Sequence, residues 1–314
     1  MTSMDSSKLH ITRRTLEESG RTKTELEETN NEHRHLQDGT GASMVKEAPG
    51  SVPGAFPHSP LRYPGGKSHA IRAILPWIPE SETKLFSPFL GGASIELAST
   101  LRMNVYASDF FEQLMIFWKI LLTQPERLVE RVLRYYPLSQ TEFYEKQKCI
   151  LLIDDEVEIP AIFFTLNRSS FSGLTLSGGY YPGRFTDSSI ARLGDFSVKN
   201  FQVECSDYRD SIPKHAESFM YCDPPYSNGQ ALYGVRGVAQ KEFDHESLAE
   251  MLHYRDRWLL SYNDCEAIRR LYRHYLIIPL EWKYGMGKSK SSNEILIMSN
   301  DLKNLDKKRH HELW

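Results

Sequence analysis

Short apolar runs alternate with amphipathic stretches from about residue 60 to residue 300. Brief apolar runs bounded by turn residues are typical of buried strands, whereas apolar positions repeating every three to four residues indicate helices. Strands are predicted over residues 83–87, 104–108, 218–222, 257–261, 276–281 and 294–298. Helices are predicted over residues 95–101, 110–122, 126–135, 142–150, 161–168, 244–254 and 264–275, with Asp244 and Asp264 as caps. This alternation predicts an α/β fold, a doubly wound sheet of mainly parallel strands with an antiparallel edge.

Residues 1–57 follow neither pattern. They are rich in polar residues and close with a run of Pro and Gly over residues 49–60. Such a segment buries too little apolar surface to offset the entropy of ordering it. We expect a disordered N-terminal tail, which is favoured as a tolerated extension over a partner-binding arm.

Composition and charge limit which classes of protein are compatible with this sequence. A hydrophobic fraction of 40% and a charged fraction of 25% are those of an ordinary globular protein. No apolar run reaches membrane-spanning length and the N-terminus lacks the apolar core of a signal peptide, so a cytoplasmic protein without a membrane partner is expected. The spacing of the four cysteines and of the histidines indicates neither a disulfide framework nor a metal site. Because the net charge is −3, any contact with a nucleic acid must come from local basic patches.

The most specific chemical signal follows the predicted strand over residues 218–222. Pro224 and Pro225 lack the N–H that a sheet needs, so the strand must end at Asp223. The Asp223 carboxylate, the Pro224 carbonyl and the Tyr226 ring then lie at a strand end, where open α/β sheets bind ligands. The two acceptors could bind both N–H groups of a nucleobase amine. This would stabilise the positive charge that develops on the amine when it attacks a methyl donor. The Tyr226 ring would stack on the base. The alternative is a strand that merely ends in a Pro-Pro turn.

Two glycine loops precede this strand. In the first, Gly65 and Gly66 would let the backbone approach a ligand, and Lys67 supplies a charge for a carboxylate or phosphate, although Pro-Gly-Gly is also a common turn. The second, over residues 88–94, joins a strand to a helix, as nucleotide-binding loops do. Asp109 ends the next strand, where such folds hydrogen-bond a ribose. Alternatively, Asp109 only caps the helix that follows it.

These motifs together resemble those of a known family. Tyr63 to Lys67, Ser87 to Ser94, Asp109, Asp207-Tyr208 and Asp223 to Tyr226 are similar, in this order, to the motifs of the Dam-like (D12 class) adenine-N6 DNA methyltransferases. The resemblance covers about residues 60–300. It implies a Rossmann-like S-adenosylmethionine-dependent methyltransferase sheet with an inserted helical target-recognition domain. The implied parts are a cofactor-binding half over residues 58–124, the insertion over 125–200 and a catalytic half over 201–314.

The resemblance also implies the site residues. The catalytic residues would be Asp223, Pro224, Pro225 and Tyr226. The residues that bind S-adenosyl-L-methionine would be Tyr63, Lys67, Phe89, Gly91, Gly92, Asp109 at the ribose, and Asp207 with Tyr208 at the adenine. The chain departs from the family pattern twice: Ser87 stands where the family usually has an acid, and Ala93 where it has the second glycine of its Gly-x-Gly loop.

DNA-binding residues are expected in two loops. Residues 167–173 resemble the family's entry into its recognition region. From Arg168 onward, Arg168, Arg184 and Arg192 interleave with Tyr180, Tyr181 and Phe185. Guanidinium groups suit contacts with phosphates and base edges. Lys283 and Lys288 lie in a Gly/Ser loop and are candidates for a phosphate clamp. The alternatives are a solvated loop with scattered arginines and a solvated hairpin tip.

The sequence therefore predicts a site-specific DNA methyltransferase that transfers a methyl group from S-adenosylmethionine to N6 of a flipped-out adenine in double-stranded DNA. A cognate restriction endonuclease is a candidate partner. Two alternatives remain. One is an RNA adenine-N6 methyltransferase, because the Asp-Pro-Pro-Tyr site reads only an amino group. The other is a non-catalytic DNA-binding protein on the same fold.

Overall fold

The computed structural model describes residues 56–226, 243–280 and 293–303. The expected N-terminal tail, apart from its last two residues, lies outside these ranges, and so does the loop that carries Lys283 and Lys288.

Seven strands of the described chain form one sheet in the order β3-β2-β1-β4-β5-β7-β6. Their bounds are Lys84–Ser87 (β1), Asn104–Asp109 (β2), Phe201–Cys205 (β3), Phe219–Cys222 (β4), Trp258–Asn263 (β5), Leu276–Leu280 (β6) and Glu294–Met298 (β7). The pairs among β1 to β5 are parallel, and β7 runs antiparallel to both β5 and β6. The predicted parallel sheet with an antiparallel edge is confirmed.

The central strands are buried on both faces. In β4, Phe219 and Tyr221 join one apolar cluster, while Met220 and Cys222 join the other. Successive side chains of a strand point to opposite faces, so each central strand contributes to both clusters. This explains why β4 is a continuous apolar run rather than an alternating one.

Helices cover both faces of the sheet. Their bounds are Ile71–Ile74 (α1), Ser94–Ser99 (α2), Glu112–Thr123 (α3), Pro125–Leu133 (α4), Gln140–Cys149 (α5), Glu158–Arg168 (α6), Asp187–Gly194 (α7), Tyr208–Lys214 (α8), His245–His253 (α9) and Glu266–Leu271 (α10). Each of the helices α1 to α7 contributes buried apolar residues to the first cluster, and each of α8 to α10 contributes them to the second. No helix in the described ranges has the length and apolar character needed to cross a membrane.

Some local predictions fail. The pattern did not predict β3, α7 or α8, because each is short and only partly apolar. Asp244 caps α9 as predicted, its carboxylate accepting from the Ser247 N–H at 2.9 Å. The predicted cap of α10 is wrong: Cys265 is the N-cap residue, and the Asp264 carboxylate instead binds the Arg269 guanidinium at 2.9 Å. An exposed arginine that reaches back to this acid competes with the backbone N–H groups for its oxygens.

Asn167 ties the helical layer to the chain that enters the site. It lies at the end of α6 and is fully buried. Its Oδ1 accepts from the Arg62 N–H at 2.9 Å, and its Nδ2 donates to the Arg62 carbonyl at 2.8 Å and to the Gly173 carbonyl at 3.2 Å. One side chain therefore joins the segment before Tyr63 to the loop after α6.

Asn167→Ala is expected to lower the free energy of unfolding by about 3 kcal/mol, because several buried backbone groups lose their partners at once. Chemical denaturation would measure the change. The control Asn104→Ala, at an exposed position of β2, should stay within about 0.5 kcal/mol of the wild type. Equal destabilisation by the two variants would contradict the tethering role.

Candidate active site

A cavity of about 270 Å³ opens at the carboxyl ends of β1 and β4. These strands are parallel neighbours, but the chain leaves β1 toward β2 and leaves β4 toward β5. Such a switch point leaves a crevice between the two connections. The cavity is lined by residues 63–67, 88–96, 109–111, 207–209 and 243–244 and by Tyr221, Asp223 and Pro225. All eight residues predicted to bind the cofactor lie along it.

The glycine loop after β1 is fixed from two sides. The Gly91 N–H donates to the Asp109 Oδ2 at 3.1 Å, and the Gly91 carbonyl accepts from the Trp118 indole at 3.1 Å. Asp109 Oδ1 also accepts from the Phe111 N–H at 3.1 Å. Burial raises the pKa of Asp109 to about 6, against the lowering effect of these backbone N–H groups. Asp109 thus organises the loop in addition to lining the cavity.

The same loop has left-handed backbone at two positions, with φ of 46° at Gly91 and 59° at Ala93. Ala93 is the position where the family pattern has a glycine. Left-handed backbone costs a residue with a Cβ roughly 1–2 kcal/mol. The loop therefore keeps its turn in this chain at some cost in stability.

Tyr63 explains why Gly92 is a glycine. A Cβ added at Gly92 would lie 2.7 Å from the Tyr63 Cβ, which is closer than side-chain carbons approach. The two glycine loops of the sequence are therefore packed directly against each other and form one wall of the cavity.

An aromatic patch forms the other end of the cavity. The ring centroids of Phe89, Tyr208 and Phe243 lie 5.4–5.5 Å apart, and the Arg209 guanidinium lies 4.6 Å from the Tyr208 ring. Asp207 caps α8 and accepts from the Arg209 N–H at 2.8 Å. Phe89, Asp207 and Tyr208 were predicted from the sequence as cofactor-binding residues. Arg209 and Phe243 were not, because they belong to no motif.

The Asp223 carboxylate is held by two donors. The Lys67 ammonium lies 2.7 Å from Oδ2, and the Ser261 hydroxyl donates to Oδ1 at 2.7 Å. Lys67 is 4% exposed and also donates to the Gly65 carbonyl at 2.8 Å. Its charge therefore serves a carboxylate of the protein, which joins the first glycine loop to the end of β4.

Glu294 extends this network from the first residue of β7. The Tyr226 hydroxyl donates to Glu294 Oε2 at 2.9 Å and lies 3.4 Å from Asp223 Oδ1. The Lys67 ammonium lies 3.7 Å from Glu294 and 5.0 Å from the Tyr226 ring centroid. Burial, with the Asp223 carboxylate, raises the pKa of Glu294, while Lys67 opposes the shift. Neither Ser261 nor Glu294 was predicted, because only the sheet brings them to Asp223.

The predicted catalytic residues differ in their access to the cavity. Asp223 and Pro225 line it, whereas Pro224 is buried and Tyr226 is half-buried.

Of the predicted DNA-binding residues, two are described, and they differ from each other. Arg184 is exposed, whereas Arg168 is half-buried and donates to the Arg184 carbonyl at 3.0 Å. Burial lowers the pKa of Arg168 to about 10, and the positive charges of Arg192, Arg62 and Arg184 add to the shift. Neither Arg168 nor Arg184 lines the cavity.

Comparison with known proteins shows which family and which relatives this chain is similar to. Residues 63–286 match the family described as D12 class N6 adenine-specific DNA methyltransferase. The chain is 25% identical over 235 residues to a DNA adenine methylase of Vibrio cholerae serotype O1, covering 68% of this chain and 84% of that protein. It is 23% identical over 262 residues to the retron Ec67 DNA adenine methylase of Escherichia coli, covering 76% and 90%. It is 27% identical over 198 residues to the type II methyltransferase M.MjaIII of Methanocaldococcus jannaschii, covering 53% and 68%.

The fold and the match define an α/β methyltransferase, and the chain belongs to the D12 class N6 adenine-specific DNA methyltransferase family. It is a site-specific, adenine-specific DNA methyltransferase, as the motifs predicted.

Gly92→Ala is expected to reduce methyl transfer to duplex DNA by about tenfold or more, because the new Cβ displaces Tyr63, and overpacking should lower stability by about 1–3 kcal/mol. Incorporation of labelled methyl groups and the melting temperature would measure the two effects. The control Gly194→Ala adds a Cβ at an ordinary 3.5 Å from Val129 and should change neither. Unchanged activity in Gly92→Ala would show that the contact with Tyr63 is dispensable.

Proposed function

We propose that the protein methylates N6 of an adenine that has left the duplex stack, with S-adenosylmethionine as the donor. The observation that carries this proposal is the Asp223 carboxylate, fixed by Lys67 and Ser261 at the end of β4 in the same cavity as the glycine loop. Membership of the family favours DNA over the RNA alternative, and an intact Asp223 to Tyr226 motif in a cavity favours catalysis over binding alone.

The residues along the cavity suit S-adenosylmethionine. The aromatic patch of Phe89, Tyr208 and Phe243 offers a face for an adenine ring, next to the Asp207 carboxylate. Asp109 offers an acceptor for the hydroxyls of a ribose, and the backbone of Gly91 and Gly92 permits close approach. When bound, this cofactor supplies a methyl group on a positively charged sulfur.

Asp223 and Pro224 act on the target amine. A carboxylate has about four acceptor positions, of which Lys67 and Ser261 occupy two, so Asp223 keeps capacity for an N–H of the base. N6 would form its bond to the methyl carbon as the bond from that carbon to the donor sulfur breaks and its electron pair stays on sulfur. N6 would then carry the positive charge until one of its protons passes to solvent. Accepting hydrogen bonds from N6 stabilises that charge, and Lys67 and Ser261 keep the carboxylate from turning away.

The position of the carboxylate supports base flipping. Asp223 is 20% exposed and lies inside the cavity, and an enzyme that acts on a base in such a pocket takes that base out of the stack. Pro225 and Tyr226 would contact the flipped base. Tyr226 keeps its hydroxyl on Glu294, which would fix the plane of its ring for stacking on the base.

Asp223→Asn is expected to lower the rate of methyl transfer by a factor on the order of 100 or more, because a neutral amide stabilises the charge on N6 poorly. Binding of S-adenosylmethionine should stay within a few-fold of the wild type. Single-turnover assays on duplex DNA and calorimetry would separate the two effects, with Asp264→Asn as a control outside the cavity. Near-normal turnover in Asp223→Asn would remove this residue from the mechanism.

DNA recognition is assigned to residues 125–200. Arg184 is exposed, and Arg168 lies near Arg62, Arg184 and Arg192, so this region concentrates positive charge in a chain of negative net charge. Arg168 donates to the carbonyls of Arg184 and Pro60, at 3.0 and 3.4 Å, and so positions the loop. We assign direct DNA contact to Arg184 and a positioning role to Arg168. The phosphate clamp at Lys283 and Lys288, and a partner endonuclease, remain predictions.

Arg184→Ala is expected to weaken binding to duplex DNA by about 1–3 kcal/mol without lowering the melting temperature. Arg168→Ala should lower both, because its hydrogen bonds hold the loop. Binding titrations on a library of sites, repeated at several salt concentrations, would distinguish a phosphate contact from a base contact. If Arg184→Ala binds every site as the wild type does, recognition lies elsewhere.

A further inference from the structure

Glu96 is a buried carboxylate that the reaction described above does not use. It lies in the first turn of α2, is 2% exposed and lines the cavity. The Ser87 hydroxyl, fully buried at the end of β1, donates to its Oε1 at 2.6 Å. Ser87 stands where the family pattern has an acid, so a carboxylate reaches this part of the cavity from the helix instead of the strand.

Charges around Glu96 favour a cationic ligand. The like charge of Asp223 raises the pKa of Glu96, and the opposite charge of Lys67 lowers it. Tyr221 of β4 also lies close to Glu96. Lys67 is already in an ion pair with Asp223 at 2.7 Å. Burying a carboxylate costs stability unless a cation compensates it.

Other charged groups on the neighbouring elements do not supply this compensation. Arg72 on α1 and Lys84 on β1 are exposed, and the Asp109 carboxylate on β2 is bound to the Gly91 and Phe111 N–H groups.

We propose that Glu96, positioned by Ser87, accepts a hydrogen bond from the α-ammonium group of the methyl donor. The inference rests on S-adenosylmethionine being that donor. A carboxylate binds an ammonium through both charge and hydrogen bonds, whereas a sulfonium has no N–H or O–H to donate. Glu96 is thus assigned to cofactor recognition, while Asp223 acts on the adenine.

The pH dependence of binding follows from the charge of Glu96. Burial, together with the Asp223 carboxylate, raises the pKa of Glu96 to about 7 in the free protein, against the lowering effect of Ser87 and Lys67. An ammonium ligand favours the ionised form and so lowers this pKa in the complex. Binding near neutral pH should therefore release a proton, and affinity should rise with pH until about pH 7 and then level off.

Two probes isolate the ammonium: S-adenosyl-L-homocysteine, and its analogue in which hydrogen replaces the α-amino group. Neither carries a sulfonium charge. The wild type is expected to prefer the first probe by a factor on the order of 10–100, and Glu96→Gln should lose most of this preference while keeping its hydrogen bond to Ser87. Calorimetry in two buffers of different ionisation enthalpy should show proton release for the wild type with the first probe only.

Glu112→Gln is the matched control. Glu112 also lies in the first turn of a helix that follows a strand, α3, but outside the cavity, so the preference between the two probes should stay at the wild-type value. Retention of the wild-type preference by Glu96→Gln, or equal proton release with both probes, would overturn the role of Glu96 alone. If neither probe binds the wild type, the proposed donor is wrong, and this role with it.

Discussion

The ion pair between Lys67 and Asp223 is the interaction on which the site depends. It joins two segments separated by 156 positions in the chain, the first glycine loop and the end of β4. Because Lys67 is almost completely buried, removing either partner would leave the other charge without compensation in a poorly solvated place. The pair therefore fixes the Asp223 carboxylate and, at the same time, the loop that forms one wall of the cavity.

The sheet places this ion pair at its switch point. The register Leu85↔Phe219 and Phe86↔Met220 brings the ends of β1 and β4 to one edge. Around them, short side-chain contacts hold irregular backbone: Asp109 and Trp118 hold the Gly91 loop, and Asn167 holds the chain at Arg62. The loops that line the cavity are thus fastened to strands and helices, which is the kind of support that a preorganised site requires.

Charge is distributed unevenly in this site. The Asp223 carboxylate raises the pKa of both Glu294 and Glu96, and Lys67 lowers the pKa of both while it pairs with Asp223. Burial raises the pKa of both glutamates. Burying these carboxylates costs the folded protein some stability, and a positively charged ligand would offset that cost.

The sequence by itself determined the parts of the protein that local chemistry specifies. Proline at 224 and 225 ends a strand whatever surrounds it, glycine at 91 permits a left-handed turn, and continuous apolar runs indicate strands buried on both faces. These signals, with the order of the motifs, were enough for the class of fold and the family, and the eight residues predicted to bind the cofactor all line the cavity.

Only the tertiary structure decided which side chains meet. Ser261, Glu294 and Glu96 carry no motif, because hydroxyls and carboxylates on strands and helices are common, and their roles come from pairing and packing between distant segments of the chain. The two arginines likewise look alike in the sequence, and burial alone separates the exposed Arg184 from Arg168, which supports the loop.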